Sequence, residues 1–448
     1  MRDDQGGTDT TYNATLTRLE RVFQAQKAGF AAAPYPSADQ RRAQLRRLKT
    51  QIQRYQDLLA QAMNADFGHR SAHESKMFDL LGSVMEINHL IRHLGRWMRA
   101  RRRPTELIFK TNTLRVTYQP KGVVGVIAPW NFPVYLTIGP LAAALAAGNR
   151  VMVKMAEDSR HTARVMVRML AEIFDESEVA VIPADQGINE AFTALPFDHM
   201  VFTGSSAVGR KVMAAAAQNL VPVTLELGGK SPAIVAPGSD MADAARRIVH
   251  GKGSNCGQIC VAPDYALVPR AEVAGFAAAA ERAWQKLFPD AKTTRIINDR
   301  QFARLTAMLE DARAKGATIR ACAPGTDAAS RQMALHLILD PTPEMEVMQH
   351  EIFGPLLPVV GYDTPEQAIA HVTAGPRPLA LYLFGADAAM RDDVLRRTHS
   401  GGVTLDDWGW HVVNHAAPFG GIGPSGMGSY HGIEGFRELS HARTVFHR

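Results

Sequence analysis

The sequence predicts an α/β protein: a doubly wound sheet, a second α/β unit and a small β extension. Three observations carry this. From Lys121 onward, short apolar runs (VVGVIAP, VMVK, EVAVI, DHMVFTG, VPVTLEL) alternate with helix-length segments. A second cycle starts at Ser231, with SPAIVAP, DYALVP, PLLPVV, ALYLFG and GGVTL as its strands. Continuous apolar runs suit strands buried on both faces of a parallel sheet, and strand–helix alternation is the pattern of doubly wound folds. Third, ELIFKTNTLRVTYQP alternates and is rich in β-branched residues, so it reads as one or two edge strands.

Taken in order, the polar first dozen residues are predicted to be disordered, and Thr15 to Arg103 helical. Arg42, Leu45, Leu48, Ile52, Tyr55 and Leu59 recur at steps of three and four, as one face of a helix requires. Gly68 interrupts, Ser71 or Ser75 caps the next helix, and Pro104 ends the block. Further helices are predicted from about Leu136 to Ala147, Arg160 to Phe174 and Asp299 to Lys315, and over SSAVGRKVMAAAAQ. A Pro/Gly-rich stretch, Ala417 to Gly432, crosses back, and ARTVFH supplies a closing strand.

The chain has 448 residues and is 46% hydrophobic, enough for two domains with a sizeable core. The net charge of +6 is small for this length. Its basic clusters, Arg41 to Arg47 and Arg99 to Arg103, lie in helix-like segments and read as solvated faces or subunit contacts. No aromatic interleaving suggests base stacking, so no nucleic-acid partner is expected. Three cysteines do not make a disulfide framework, which points to a reducing, cytoplasmic setting. The N-terminus lacks the apolar core of a signal peptide, and no apolar run approaches the roughly 18 residues of a membrane span.

The chemistry centres on GKGSNCGQIC, Gly251 to Cys260. Its C-x₃-C spacing does not suit a zinc knuckle. Cys260 is flanked by Gly and polar residues, as at a solvent-reachable turn, whereas Cys256 is either a second thiol on the same side or an inert packed one. Glu226 lies at a strand end in TLELGGK, and Asn131 precedes Phe132-Pro133. A thiol, a carboxylate and an amide donor are the outfit of covalent carbonyl chemistry. The plainer readings are packed cysteines, a surface ion pair at Glu226 and a turn residue at Asn131. No metal is expected: His411 and His415 are four apart but lack an HExxH pattern or a third ligand. A hydride acceptor is therefore a nicotinamide cofactor. In FTGSSAVG a strand hands over to a helix at Ser205, where free N–H groups suit a pyrophosphate; Gly204 lets the backbone turn and Gly209 permits close helix–sheet approach. GIGPSG, Gly421 to Gly426, fits GxGxxG but follows no strand and reads as a tight turn.

PWNFP, FTGSSAVG, LELGGK, NCGQIC, EIFGP and PFGGIGPSGMG, in this order over most of the chain, resemble the motifs of the aldehyde dehydrogenase superfamily. DFGHRS with SGMGSYHG most resembles the coniferyl aldehyde dehydrogenases. The resemblance implies Cys260 as nucleophile, Glu226 as general base, and Asn131 with the Cys260 N–H as oxyanion donors. It implies NAD, with NADP possible, bound by Lys154 and Glu157 at the adenosine ribose, by Glu351 at the nicotinamide ribose, and by Phe353 and Trp130 near the ring. Phe132, Trp408 and Trp410 are expected to line the substrate tunnel, and no Arg cluster in the motif segments grips a second anionic group. The implied layout is a cofactor domain over 1–104 and 120–226, a catalytic domain over 227–416, and bridging strands in 105–119 and 417–448 that pair in a homodimer. The substrate is then an apolar, aromatic aldehyde; a medium-chain aliphatic aldehyde, or aldehyde binding without catalysis, are the alternatives. Two residues depart from the pattern: Met155, where a proline is usual, and Asp406, where an asparagine is usual.

Overall fold

The computed structural model describes residues 5–182, 188–289 and 293–448. Two α/β units and a small antiparallel sheet account for its strands. The first sheet holds β3 (Val123–Ile127), β4 (Arg150–Lys154), β5 (Val179–Ile182), β6 (His199–Thr203), β7 (Val223–Glu226) and the two-residue β15 (Gly426–Met427), in the order β15-β7-β6-β3-β4-β5. Its pairings are parallel except β15 on β7. The order reverses beside β3, where open α/β sheets leave a crevice at the carboxyl ends of the strands.

Side chains alternate across this sheet with the two-residue strand period. Val124, Val126, Val151 and Val153 join a core with Leu45, Leu48, Ile52 and Tyr55 of the helix Ala38–Phe67. Val123, Met152, Met200 and Leu225 face the other way, onto Leu19, Val22 and Phe23 of the helix Gln5–Ala32 and Val212 of the helix Ser206–Ala217. Ser37 and Gln40 form a capping box at the start of Ala38–Phe67; Gly68, at φ 75°, ends that helix, and Ser71 caps the next turn.

The second sheet, β10 (Thr318–Ala321), β11 (His336–Leu339), β12 (Leu356–Tyr362), β9 (Tyr265–Pro269), β8 (Pro232–Val235), β13 (Ala380–Phe384) and β14 (Gly402–Leu405), follows that spatial order and is parallel apart from β10 on β11. In the third sheet β2 (Thr113–Pro120) lies between β1 (Arg101–Arg103) and β16 (Ser440–His447), all antiparallel.

Several expectations are corrected. The polar N-terminus is helical from Gln5, continuous with a segment that buries Leu19 and Val22 and so extends from a packed nucleus. Arg101–Arg103 is a strand, because pairing with Leu114 to Val116 outweighs local helix preference. ELIFKTNTLRVTYQP holds one strand, within the one or two expected, preceded by a 3₁₀ turn over Leu107–Phe109. Arg41 is fully buried, not solvated: its guanidinium donates to the carbonyls of Ala146 and Ala147 at the C-terminal end of the helix Tyr135–Ala147, 3.0 and 2.7 Å away. A cation there meets the negative end of the helix dipole.

Candidate active site

Cys260 follows a short 3₁₀ turn, Ser254–Gly257, in which Asn255 and Cys256 take positive φ values of 46° and 54°. This kink sends the two thiols apart, which overturns a helical, same-side placement. Cys256 is fully buried among Ile296, Phe302 and Leu305, its Sγ 3.6 Å from the Met333 carbonyl. Cys260 is half-buried and lines both of two large cavities.

The first cavity, about 320 Å³, is walled by Phe78, Phe132, Tyr135, Trp408, Trp410 and Phe419 among others. The second, about 910 Å³, runs from Cys260 past Asn131, Glu226 and Glu351 to Gly204 and Ser205. Thus a largely apolar chamber and a more polar cleft meet at one sulfur. Burial pushes the Cys260 thiol up to about 12, helped by the Glu351 and Glu226 carboxylates, while the backbone N–H groups of Cys260 and Val261 pull the other way.

Glu226 ends β7 and is 2% exposed, with neither carboxylate oxygen hydrogen-bonded. That rules out the surface ion pair. Burial raises its pKa well above the carboxylate range. The returning chain supports this placement: Leu227 N–H donates to Ser425 C=O, and Gly420 leaves room where a Cβ would lie 3.2 Å from Glu226 Oε1. Gly421 to Gly426 is a turn, closed by Gly426 N–H to Gly423 C=O at 3.2 Å.

Asn131 is buried, and its Nδ2 donates to the Gln258 carbonyl at 3.2 Å, which aims the amide along the segment leading to Cys260. Its own carbonyl accepts from Arg70 and Asn255, each 3.2 Å away. Arg70 in turn pairs with Asp79 at 2.9 Å, both side chains wholly buried, and Asp79 accepts from the backbone N–H groups of Val134 and Tyr135. Neither Arg70 nor Asp79 was singled out in sequence; their pairing depends on how the turn after Phe67 packs under Asn131.

In the cleft, Ser205 caps the helix Ser206–Ala217, and Gly204 and Ala207 line the wall beside it. Gly209 does permit close packing: a Cβ there would come within 2.8 Å of Leu227. Glu351 and Phe353 line the far wall, and Trp130 meets the Phe353 ring edge-on at 5.4 Å. Gly228 makes room for Glu351, whose carboxylate oxygens lie 2.2–2.3 Å from where a Cβ would stand. Burial and Asp264 raise Glu351 to about 7, against its Gly229 contact and the Lys230 and Arg304 charges. Arg304 and Asp264, missed in sequence, hold this segment by its backbone: Arg304 donates to the Ile352 carbonyl at 2.6 Å and Asp264 accepts from its N–H at 3.0 Å.

Lys154 and Glu157 stand at the end of β4, outside the lining of this cleft. Burial lowers the Lys154 pKa against the attraction of Glu157, whose carboxylate accepts from Asn189 at 3.3 Å. Met155, between them in sequence, is fully buried in the first core, so the missing proline is replaced by an apolar anchor. The residues fit a dinucleotide: an open helix N-terminus, a glycine bend, and a buried Thr203 hydroxyl in the cleft wall with no hydrogen-bond partner.

Around the apolar chamber, Trp408 Nε1 donates to His250 Nδ1 at 3.0 Å and Trp410 Nε1 to Asp407 at 2.7 Å. Arg246 and Arg247, which lie outside the motif segments, also line it. Both are engaged by Asp243, and Arg247 reaches Asp407 at 2.5 Å. The mouth therefore offers a compensated polar rim. Asp406 points elsewhere, accepting from Gly385 N–H at 2.7 Å. His411 bonds Thr404, while His415 gains the neighbours that the sequence did not reveal, His431 and Glu86.

Comparisons with known proteins find relatives over nearly the whole chain. A profile described as the aldehyde dehydrogenase family matches residues 4–445. A probable coniferyl aldehyde dehydrogenase of Pseudomonas aeruginosa is 48% identical over 435 residues, covering 96% of this chain and 91% of that one. A coniferyl aldehyde dehydrogenase of a Pseudomonas species is 45% identical over 397 residues, 87% of this chain and 82% of that one. Among solved structures, the substrate-bound state of Staphylococcus aureus AldH superposes with a TM-score of 0.91 at 33% identity, over 96% of this chain and 94% of that one. The Mycobacterium tuberculosis aldehyde dehydrogenase complexed with NAD+ gives 0.88 at 28%, over 96% and 90%. No helix among the described residues is long and apolar enough to cross a membrane.

Proposed function

Because this chain belongs to the aldehyde dehydrogenase family, we propose that it oxidises an apolar, aromatic aldehyde of the coniferyl type to the carboxylic acid, with NAD as hydride acceptor. The observation that carries this is the position of Cys260 in the wall shared by an aromatic chamber and a more polar cleft. In this reading the aldehyde enters past Trp408 and Trp410 and presents its carbonyl carbon to the sulfur.

Once the Cys260 thiol has given its proton to solvent, the sulfur adds to the carbonyl carbon, the C=O π bond breaks, and the oxygen becomes an anion facing Asn131 Nδ2 and the Cys260 N–H. Losing one such donor costs roughly 2.7–4 kcal/mol of barrier. NAD supplies the two-electron acceptor that takes the hydride from this carbon. Oxyanion collapse leaves a thioester on Cys260. Glu226 then accepts a proton from water as the water oxygen attacks, the C–S bond breaks, and the acid departs. An intact Glu226 favours hydrolysis over transfer of the acyl group to another carrier.

Lys154 and Glu157 serve the adenosine ribose, Glu351 the nicotinamide ribose, and Trp130 and Phe353 the ring side of the cleft. Names of relatives support the substrate class: two of the most similar proteins are called coniferyl aldehyde dehydrogenases. The chamber supports it too. Its rings supply stacking contact, roughly 0.5–1.5 kcal/mol per aromatic pair beyond area burial, and the rim formed by Asp407, Arg247 and His250 suits a phenol and its methoxy neighbour. The unpaired thiols fit a cytoplasmic enzyme. The open edge of β16, with Val445 and Phe446 exposed, supports a homodimer joined through the third sheet.

The test is NADH formation, compared by kcat/KM for coniferyl aldehyde, benzaldehyde, hexanal and acetaldehyde. Coniferyl aldehyde is expected first. Acetaldehyde matching the aromatic aldehydes would defeat the substrate reading, hexanal equal to coniferyl aldehyde would reduce it to an apolar tunnel, and no NADH with any aldehyde would mean binding without catalysis.

A further inference from the structure

Behind one wall of the aromatic chamber lies a cluster that plays no part in the aldehyde chemistry. Glu86 sits within the helix Gly82–Trp97, His415 in the loop between β14 and β15, and His431 immediately before the helix Gly432–Glu438. One ligand atom from each lies within 4.8 Å of the others. All three side chains are buried: Glu86 is 1% exposed, His431 0% and His415 6%. His431 Nε2 stands 3.9 Å from Glu86 Oε2 and 3.4 Å from the Tyr135 hydroxyl. Neither oxygen of Glu86 and neither nitrogen of His415 has a hydrogen-bond partner.

Buried polar atoms are almost always satisfied, so unpartnered ones on both Glu86 and His415, with one ligand atom of each gathered beside His431, call for an occupant. Two imidazoles and a carboxylate are a ligand set for zinc-like divalent metals, whereas magnesium and calcium want oxygen alone. The protonation states agree. Burial lowers the imidazoles, His415 to about 4 and His431 to about 3, with a push on His415 from His89 and on His431 from both His415 and His89; neutral imidazole is the ligating form. Burial raises Glu86 to about 8, and a dication would release its proton.

We propose that Glu86, His415 and His431 bind one divalent transition-metal ion of the zinc class, with a fourth position open to water or to the Tyr135 hydroxyl. Tetrahedral bonds of about 2.0–2.1 Å place ligand atoms about 3.3 Å apart, so the side chains close by an ångström or more as the ion enters. The ion would tie the helix Gly82–Trp97 to two segments of the returning chain, beside Tyr135 and Tyr430 of the chamber wall. Its role is that of a clamp, and no step of aldehyde oxidation runs through it.

The test uses full-length, untagged protein stripped with EDTA and titrated with Co²⁺ and with Zn²⁺. One equivalent should bind, Co²⁺ should give the visible d–d bands of a four- or five-coordinate site, and the thermal midpoint should rise with metal concentration. Replacing an outer-shell partner typically weakens a metal site 10–100-fold, so Glu86→Gln and His415→Ala, each lacking a ligand, should lose at least roughly that much. Cys260→Ala and His411→Ala should keep the cobalt spectrum, which separates this site from binding at the thiol or a neighbouring imidazole. His415→Ala changes a loop residue and keeps the test available if Glu86→Gln does not fold. Binding well below one equivalent, or Glu86→Gln and His415→Ala titrating like the wild type, would overturn the proposal.

Discussion

Cys260 and Cys256 share a residue type and ten residues of sequence, yet burial gives them different chemistry. Both thiols are pushed up to about 12, but only Cys260 faces open space. Cys260→Ala is expected to abolish aldehyde oxidation. Cys256→Ala should keep most of it and cost about 1 kcal/mol of stability, the usual size for a point substitution. Equal loss of NADH formation in both variants would sink the assignment. At Glu226 the sign of the pH dependence follows from burial. A carboxyl raised in the folded state contributes stability at low pH that is lost as pH rises through its folded pKa. Over the same rise the basic form appears, so thioester hydrolysis should speed up with pH. Glu226→Gln keeps the shape without a proton acceptor. Intact-mass analysis with aldehyde and NAD should show an acyl adduct, and the pH–rate profile should flatten. A Glu226→Gln enzyme turning over at the wild-type rate would remove Glu226 from that role.

The loop carrying Asn131 depends on a buried ion pair one element away. Arg70 and Asp79 hold each other and the backbone on both sides of Pro133: Asn131 C=O through Arg70, Val134 and Tyr135 N–H through Asp79. Removing one partner of a buried pair leaves an uncompensated charge and typically costs 3–5 kcal/mol. Asp79→Ala should therefore destabilise the protein by roughly 3–5 kcal/mol. It should also lower kcat more than it raises KM for the aldehyde, because the oxyanion donor loses its frame. Urea unfolding followed by steady-state kinetics checks both, and an unchanged urea midpoint would show that the pair does not hold the loop. Elements such as the helix Tyr135–Ala147 were legible from composition: every residue in it is buried. The Arg70–Asp79 pair was not, because an arginine and an aspartate nine positions apart read as ordinary surface charge until the turn folds over them.

At the scale of the whole molecule, β4 of the first sheet and the turn after it carry Lys154 and Glu157, the residues proposed to set cofactor choice. Glu157 can accept from a ribose 2′-hydroxyl, whereas a 2′-phosphate would bring like charges together. Two unit charges about 4 Å apart repel by roughly 1–4 kcal/mol between bulk water and a protein surface. NAD should therefore be favoured at least several-fold in kcat/KM, and Glu157→Gln should narrow the ratio. A wild-type kcat/KM favouring NADP would refute this role. The sequence by itself determined the two α/β cycles and their strands, because apolar periodicity and short turn motifs are local properties of the chain, and its motif resemblance named the candidate nucleophile, base and amide donor. Only the tertiary structure decided that Cys256 turns into the core, that Arg41 caps a helix, that Arg246 and Arg247 reach the chamber and that His415 meets Glu86 and His431. Those outcomes depend on which segments, hundreds of residues apart in the last case, pack against one another, and on which polar groups that packing removes from water.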